Sequence, residues 1–303
     1  MDRYYNKYLI YKNKYLNLKN KFNLNQKGGA ITTMETTEPN IKEYFESLQV
    51  PNKTLKTFIV DSHMLHLIKI ELNDDMKPVL FVIPGLSHNS FKGTINVVLS
   101  KLGELATKFR AIYCLQYESF KPDQEAACFR RDSIIKNKPD NDAYKPELLM
   151  NSNISLQTNE IIKSLGLTNV HLLGKCNGGW IATLLLARSN IYKGLYLAVP
   201  GIPYSIKSLS TLGMKRLAEI NFVFGWTEQD CYEFKWCKFG TTEKTKSKDE
   251  KERYDSIMNE YRVPNYKSFM FIAKNVDGLP EKSDQKKYHE LFPEMITEII
   301  KTL

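Results

Sequence analysis

No two cysteines of this sequence stand in a C-x-x-C pair, and the five present (Cys114, Cys128, Cys176, Cys231 and Cys237) are odd in number. Such a set gives neither a disulfide framework nor paired-cysteine zinc spacing, and it suits a reducing compartment such as cytoplasm. No apolar run approaches the roughly 20 residues that span a bilayer. The first residues lack the uninterrupted apolar stretch of a secretory signal, so none is expected. Histidine is also scarce: His63, His66, His88, His171 and His289 are the whole supply. Any chemistry that moves a proton near neutral pH must choose among them. No internal repeat is visible, and no motif asks for a cofactor or a metal.

What is present is apolar residue in quantity. Of 303 residues, 42% are hydrophobic, ample for one large α/β domain or two smaller ones. The formal charge of +9 could suggest a nucleic acid or an acidic membrane surface, but it is unevenly spread. Residues 1–29 hold seven basic residues against Asp2 alone, a net +6, which leaves +3 for the other 274. In that arm Tyr4, Tyr8, Tyr11, Tyr15 and Leu18 recur at helical steps with lysines between, up to Gly28-Gly29. The segment "KYLIYKNKYLNLK" at 7–19 resembles the leader found on many proteins of giant viruses of the mimivirus group. That resemblance implies an origin, with host cytoplasm or virion as location, and a sorting use. It implies no chemistry. Docking on the body and binding to a membrane surface or nucleic acid stand beside sorting as readings of the arm.

Residues 30–53 read as a polar linker followed by a helix. From residue 54 the pattern changes. "TLKTFIV" and "HLIKIEL" predict two antiparallel strands. "KPVLFVIPG" at 77–85, "AIYCLQY" at 111–117, "NVHLLGK" at 169–175 and "KGLYLAVPG" at 193–201 are continuous apolar runs, the mark of strands buried on both faces. Helices are expected at 94–109, near 154–165, after Gly178, near 206–218 and within 241–261. The strands "INFVFG" and "KSFMFIAK" and a closing helix complete the chain. Strands alternating with helices imply a mostly parallel sheet covered on both faces. Residues 118–150 and 202–266 read as insertions in a domain spanning 54–303.

One short stretch carries chemistry. Gly174-Lys175-Cys176-Asn177-Gly178-Gly179 lies between a buried strand and an apolar helix and has the form G-x-C-x-G. With serine at the centre this is the nucleophile elbow, a sharp strand-to-helix turn that lifts its central side chain into a cleft. Gly174 and Gly178 make room where larger side chains would meet the neighbouring strand and helix. The helix behind the turn aims its N-terminus at the thiol, which favours thiolate and offers N–H groups to an oxyanion. A glycine-rich turn with a buried, inert cysteine is the plain alternative.

The motif and strand order together resemble the α/β-hydrolase superfamily over roughly residues 54–303, and the cysteine elbow is similar to that of dienelactone hydrolases. The resemblance implies an α/β-hydrolase fold and a triad in the order nucleophile, acid, histidine. Asp230, or alternatively Glu228, follows the strand "INFVFG" where the family carries its acid. His289 is the only histidine after Cys176 and precedes the final helix. The backbone N–H groups of Leu86, in "FVIPGLSHNS", and of Asn177 would form the oxyanion hole. His88 lies near that loop, either in solvent or lining the cleft. Lys175 would depress the thiol pKa if its amine turned inward; a neighbour in an elbow more often faces the other way.

The leading expectation is a hydrolase of a carboxylic ester, lactone or thioester that acts through Cys176, His289 and Asp230 on a small acyl substrate. No nucleic acid is required. The contrasting expectation is a catalytically inactive hydrolase fold kept for binding or for a structural role in a virion, with residues 1–29 meeting a membrane or virion surface.

Overall fold

The computed structural model describes residues 31–36, 39–60, 63–73, 76–85, 88–117, 144–198, 216–227, 231–233, 244–271 and 293–303. Nine of its strands form one sheet. They are β1 (Thr32–Met34), β2 (Lys53–Val60), β3 (His63–Glu71), β4 (Val79–Ile83), β5 (Ala111–Gln116), β6 (Val170–Lys175), β7 (Tyr192–Ala198), β8 (Asn221–Thr227) and β11 (Tyr266–Phe271). Their spatial order is β1-β2-β3-β5-β4-β6-β7-β8-β11. The first three strands pair antiparallel, β3 also meets β5 antiparallel, and the six from β5 to β11 run parallel. Apart from the added edge strand β1, this is the order of the α/β-hydrolase fold, as the sequence implied.

The apolar runs explain the centre. Every residue of β4, β5 and β6 is buried, because helices cover both faces. On one face lie α4 (Tyr144–Ser164), α5 (Asn177–Leu186) and α6 (Ser247–Glu260), packed through Ile161, Ile181, Leu185, Tyr254 and Met258. On the other lie α1 (Pro39–Ser47), α2 (His88–Ser100), α3 (Leu102–Ala106) and α7 (Pro293–Lys301), packed through Ile41, Phe91, Leu105 and Ile296. Six parallel strands send their C-terminal ends to one edge of the sheet. In open α/β sheets that edge carries the ligand site.

Several boundaries differ from the sequence reading. Helix α4 begins at Tyr144, ten residues before the expected start and inside the segment read as an insertion. Pro146 sits in its first turn, where a helix needs no N–H. The helix expected over 94–109 starts at His88 and breaks at Lys101 into α2 and α3. Thr32–Met34, read as linker, pairs with Ile59, Phe58 and Thr57 of β2. A small ladder unites β9 (Cys231–Glu233) and β10 (Lys244–Lys246) within the second insertion. The arm at 1–29, most of residues 118–150 and the helix expected near 206–218 lie outside the described residues, save residues 216–218 of that helix.

Two polar groups, one half-buried and one buried, secure the sheet. Asp255 of α6 accepts hydrogen bonds from Tyr266 and Ser268 of β11 at 2.7 Å each, and from Lys251 at 2.6 Å. Burial alone would raise this carboxyl, but the three donors outweigh it and hold the group below its ordinary range. His171 of β6 hydrogen-bonds the Tyr196 hydroxyl at 2.6 Å. Burial pushes its imidazole down to about 4 from an ordinary 6.5, so it is neutral in the folded chain. The unfolded chain takes up that proton first. Stability from this site is therefore complete above pH 6.5 and is lost as pH falls towards 4, by up to about 3 kcal/mol. Urea midpoints for wild type and His171→Gln, measured from pH 7 to pH 4.5, should show a shallower fall in the variant. Parallel curves would exclude His171 as the source.

Candidate active site

The elbow is present and strained. Strand β6 ends at Lys175 and helix α5 begins at Asn177, so Cys176 alone makes the turn. Its backbone lies at φ 51° and ψ −122°, a combination that L-residues avoid and that costs about 1–3 kcal/mol. Hydrogen bonds on both sides hold it there. Its N–H donates to the Ala198 carbonyl at 3.1 Å, and its own carbonyl accepts from Gly179 N–H at 2.9 Å.

The flanking glycines serve space rather than dihedral freedom. A Cβ on Gly174 would stand 2.5 Å from the Gly178 carbonyl oxygen and from the Gly179 Cα. A Cβ on Gly178 would stand 2.0 Å from the Ile83 carbonyl oxygen and 2.4 Å from that of Pro84. Both contacts are backbone to backbone, so neither can be relieved by turning a side chain. Cys176 is partly exposed, whereas Cys114 on β5 is buried and its thiol is pushed up to about 12 by desolvation. Of these two thiols, only Cys176 is placed to react.

Asn177 is the first residue of α5 and follows Cys176 directly, so its N–H has no acceptor within the helix. Its side chain is buried in a polar network that no sequence pattern announced. Asn177 and Asn151 of α4 form a reciprocal amide pair, each Nδ2 donating to the other's Oδ1 at 3.0 Å. Asn177 Nδ2 also donates to the Tyr117 hydroxyl at 3.4 Å, and that hydroxyl donates to the Pro84 carbonyl at 2.9 Å. Asn151 was concealed because it falls between the insertion read at 118–150 and the helix expected near 154–165. The signal is visible once α4 is recognised: Asn151, Ser155, Thr158 and Ile162 fall on one buried stripe, and a polar residue on such a stripe needs a partner.

The remaining candidates divide by position. Lys175 is 7% exposed; alternation along β6 gives it the sheet face of Leu173, opposite to α5. His66 is buried on Thr57, and His171 on Tyr196, so both are core histidines. His88 opens α2, and its side chain lies outside the described residues, as do Leu86, Glu228, Asp230 and His289 entirely. Among the described residues no three His, Cys, Asp or Glu side chains gather as a metal site, and no helix is long and apolar enough to cross a membrane.

No family model matches the sequence, and no curated protein matches it. Solved structures of similar outline exist. Carboxylesterase CesB from Bacillus subtilis is 13% identical, with 87% of this chain and 96% of that chain covered and a TM-score of 0.47. A dienelactone hydrolase-like promiscuous phosphotriesterase from metagenomic libraries is 9% identical, with 90% and 97% covered and a TM-score of 0.47. Naproxen esterase from Bacillus subtilis is 11% identical, with 86% and 95% covered and a TM-score of 0.47. The fold is decided by the strand order and the elbow of the chain itself.

Proposed function

We propose that the protein hydrolyses a carboxylic ester, lactone or thioester, with Cys176 as nucleophile. The observation that carries this is the backbone of Cys176. A chain that needed only a tight turn would place glycine at φ 51°. Here two glycines flank the turn and the strained position carries a partly exposed thiol. Strand direction supports His289 as base and Asp230, or Glu228, as its partner. The C-terminal ends of β8 and β11 lie at the same edge of the sheet as the elbow.

In this reading His289 takes the thiol proton and the sulfur attacks the acyl carbon. The carbonyl oxygen gathers negative charge against the N–H of Asn177 and that of Leu86. The tetrahedral adduct collapses, and His289 returns the proton to the departing alcohol or thiol. Water, deprotonated by His289, then cleaves the acyl-cysteine, and Asp230 stabilises the imidazolium in both halves.

The test is the rate of iodoacetamide alkylation against pH, read at each cysteine by mass spectrometry. Cys176 should titrate well below the ordinary value of about 8.5, and His289→Ala should move it back towards that value. Cys114 should remain unlabelled in both. A slow Cys176, indifferent to His289, would support a fold retained for binding instead.

A further inference from the structure

Four residues, on α4 and α5 and just past the ends of β4 and β5, meet beside the elbow, and their donors and acceptors match in one arrangement. Asn177 Nδ2 carries two protons: one reaches Asn151 Oδ1 at 3.0 Å and the other the Tyr117 oxygen at 3.4 Å. Tyr117 directs its own proton to the Pro84 carbonyl at 2.9 Å, which leaves an oxygen lone pair to accept from Asn177. Reversing the Asn177 amide would set an oxygen against the Asn151 acceptor, so the network also fixes which way the amide points. Asn151 and Asn177 are 0% and 5% exposed, where a slack or broken bond is costly.

The location gives the network a use. Pro84 follows β4 and opens the segment that holds Leu86. Asn177 follows the nucleophile. Helix α5 approaches this turn so closely that a Cβ on Gly178 would stand 2.4 Å from the Pro84 carbonyl oxygen. The chain from Asn177 through Tyr117 to Pro84 thus ties the elbow to the end of the neighbouring strand. We infer that Tyr117 and Asn151 are positioning residues that hold the Asn177 N–H, and the end of β4 at Pro84, at the place where the carbonyl oxygen of the substrate becomes negative. This rests on the acyl-hydrolase reading. Neither side chain gives or takes a proton in the reaction, and neither alters the thiol.

That separation sets the experiment. Wild type, Cys176→Ala, Tyr117→Phe and Asn151→Ser are compared on p-nitrophenyl acetate, on the matching thionoester, and for alkylation of Cys176. Thiocarbonyl sulfur accepts hydrogen bonds poorly, so an oxyanion hole favours the oxygen ester. Tyr117→Phe should lower kcat on the oxygen ester roughly tenfold with KM within twofold, a smaller loss than removal of a whole donor. Its loss on the thionoester should be much smaller, while the alkylation rate and Tm stay near wild type. Asn151→Ser should shift the oxygen-to-sulfur preference in the same direction, and the double variant should lose less than the product of the two single losses. An unchanged preference in both variants, with hydrolysis still dependent on Cys176, overturns the positioning role alone. So does an equal loss on both substrates accompanied by slower alkylation and a lower Tm. Wild type no faster than Cys176→Ala overturns the hydrolase reading and the positioning role with it.

Discussion

Cys176→Ala is expected to hydrolyse an activated ester at least about 10³-fold more slowly than wild type, because removing a nucleophile leaves only the binding and oxyanion terms. Two further substitutions show whether that loss comes from chemistry or from the fold. Cys176→Gly removes the same thiol and also relieves the turn, since glycine occupies φ 51° without penalty. Alanine keeps a Cβ in the strained conformation. The glycine variant should therefore be equally inactive but more stable than the alanine variant by about 1 kcal/mol, after glycine's extra entropy in the unfolded chain is counted. Cys176→Ser keeps both the strain and a nucleophilic atom; its residual hydrolysis should resist iodoacetamide. Urea melts and initial rates on the same preparations decide the matter. Glycine and alanine variants of equal stability would mean that the turn stores no strain, and the main support for a functional Cys176 would go.

Much of this arrangement was legible in the sequence, and the reason is physical. Strands buried on both faces must be apolar throughout, so "VLFVI" and "AIYCLQ" declared themselves as central strands. The elbow was legible because close approach of backbones leaves only glycine at 174 and 178. The helix boundaries were harder, since Pro146 is forbidden inside a helix and welcome in its first turn, and composition does not say which applies. Strand β1 was missed because three residues at a sheet edge need no pattern of their own; β2 supplies the pairing. The Asn151–Asn177–Tyr117 network was invisible for another reason. Its members are 26 and 34 residues or more apart and touch only after three elements have packed. Ordering in the chain could nominate His289 and Asp230, but polar loop residues carry no periodicity that marks their direction.

Gly178→Ala should be the most damaging single methyl in the described chain. The added carbon would meet the Ile83 oxygen at 2.0 Å and the Pro84 oxygen at 2.4 Å, where carbon–oxygen contact needs more than 3 Å. Relief requires either helix α5 or strand β4 to move. Strand β4 is fully buried between β5 and β6, with paired backbone on both sides. Helix α5 is held by Ile181, Leu185 and Leu186 in the core. A close-packed interior resists both movements, so the cost should reach about 3 kcal/mol or more, at the upper end of overpacking. Gly93, inside α2, is the control: a Cβ there meets nothing within 4 Å. Gly93→Ala should stabilise by about 0.5–1 kcal/mol, the ordinary preference of a helix for alanine. The two substitutions add the same atom and should move the urea midpoint in opposite directions. A Gly178→Ala protein that melts with wild type would mean that α5 and β4 stand further apart than the structure has them. The same gap would slacken the close approach of α5 to Pro84, and with it the geometry assigned to the oxyanion donors.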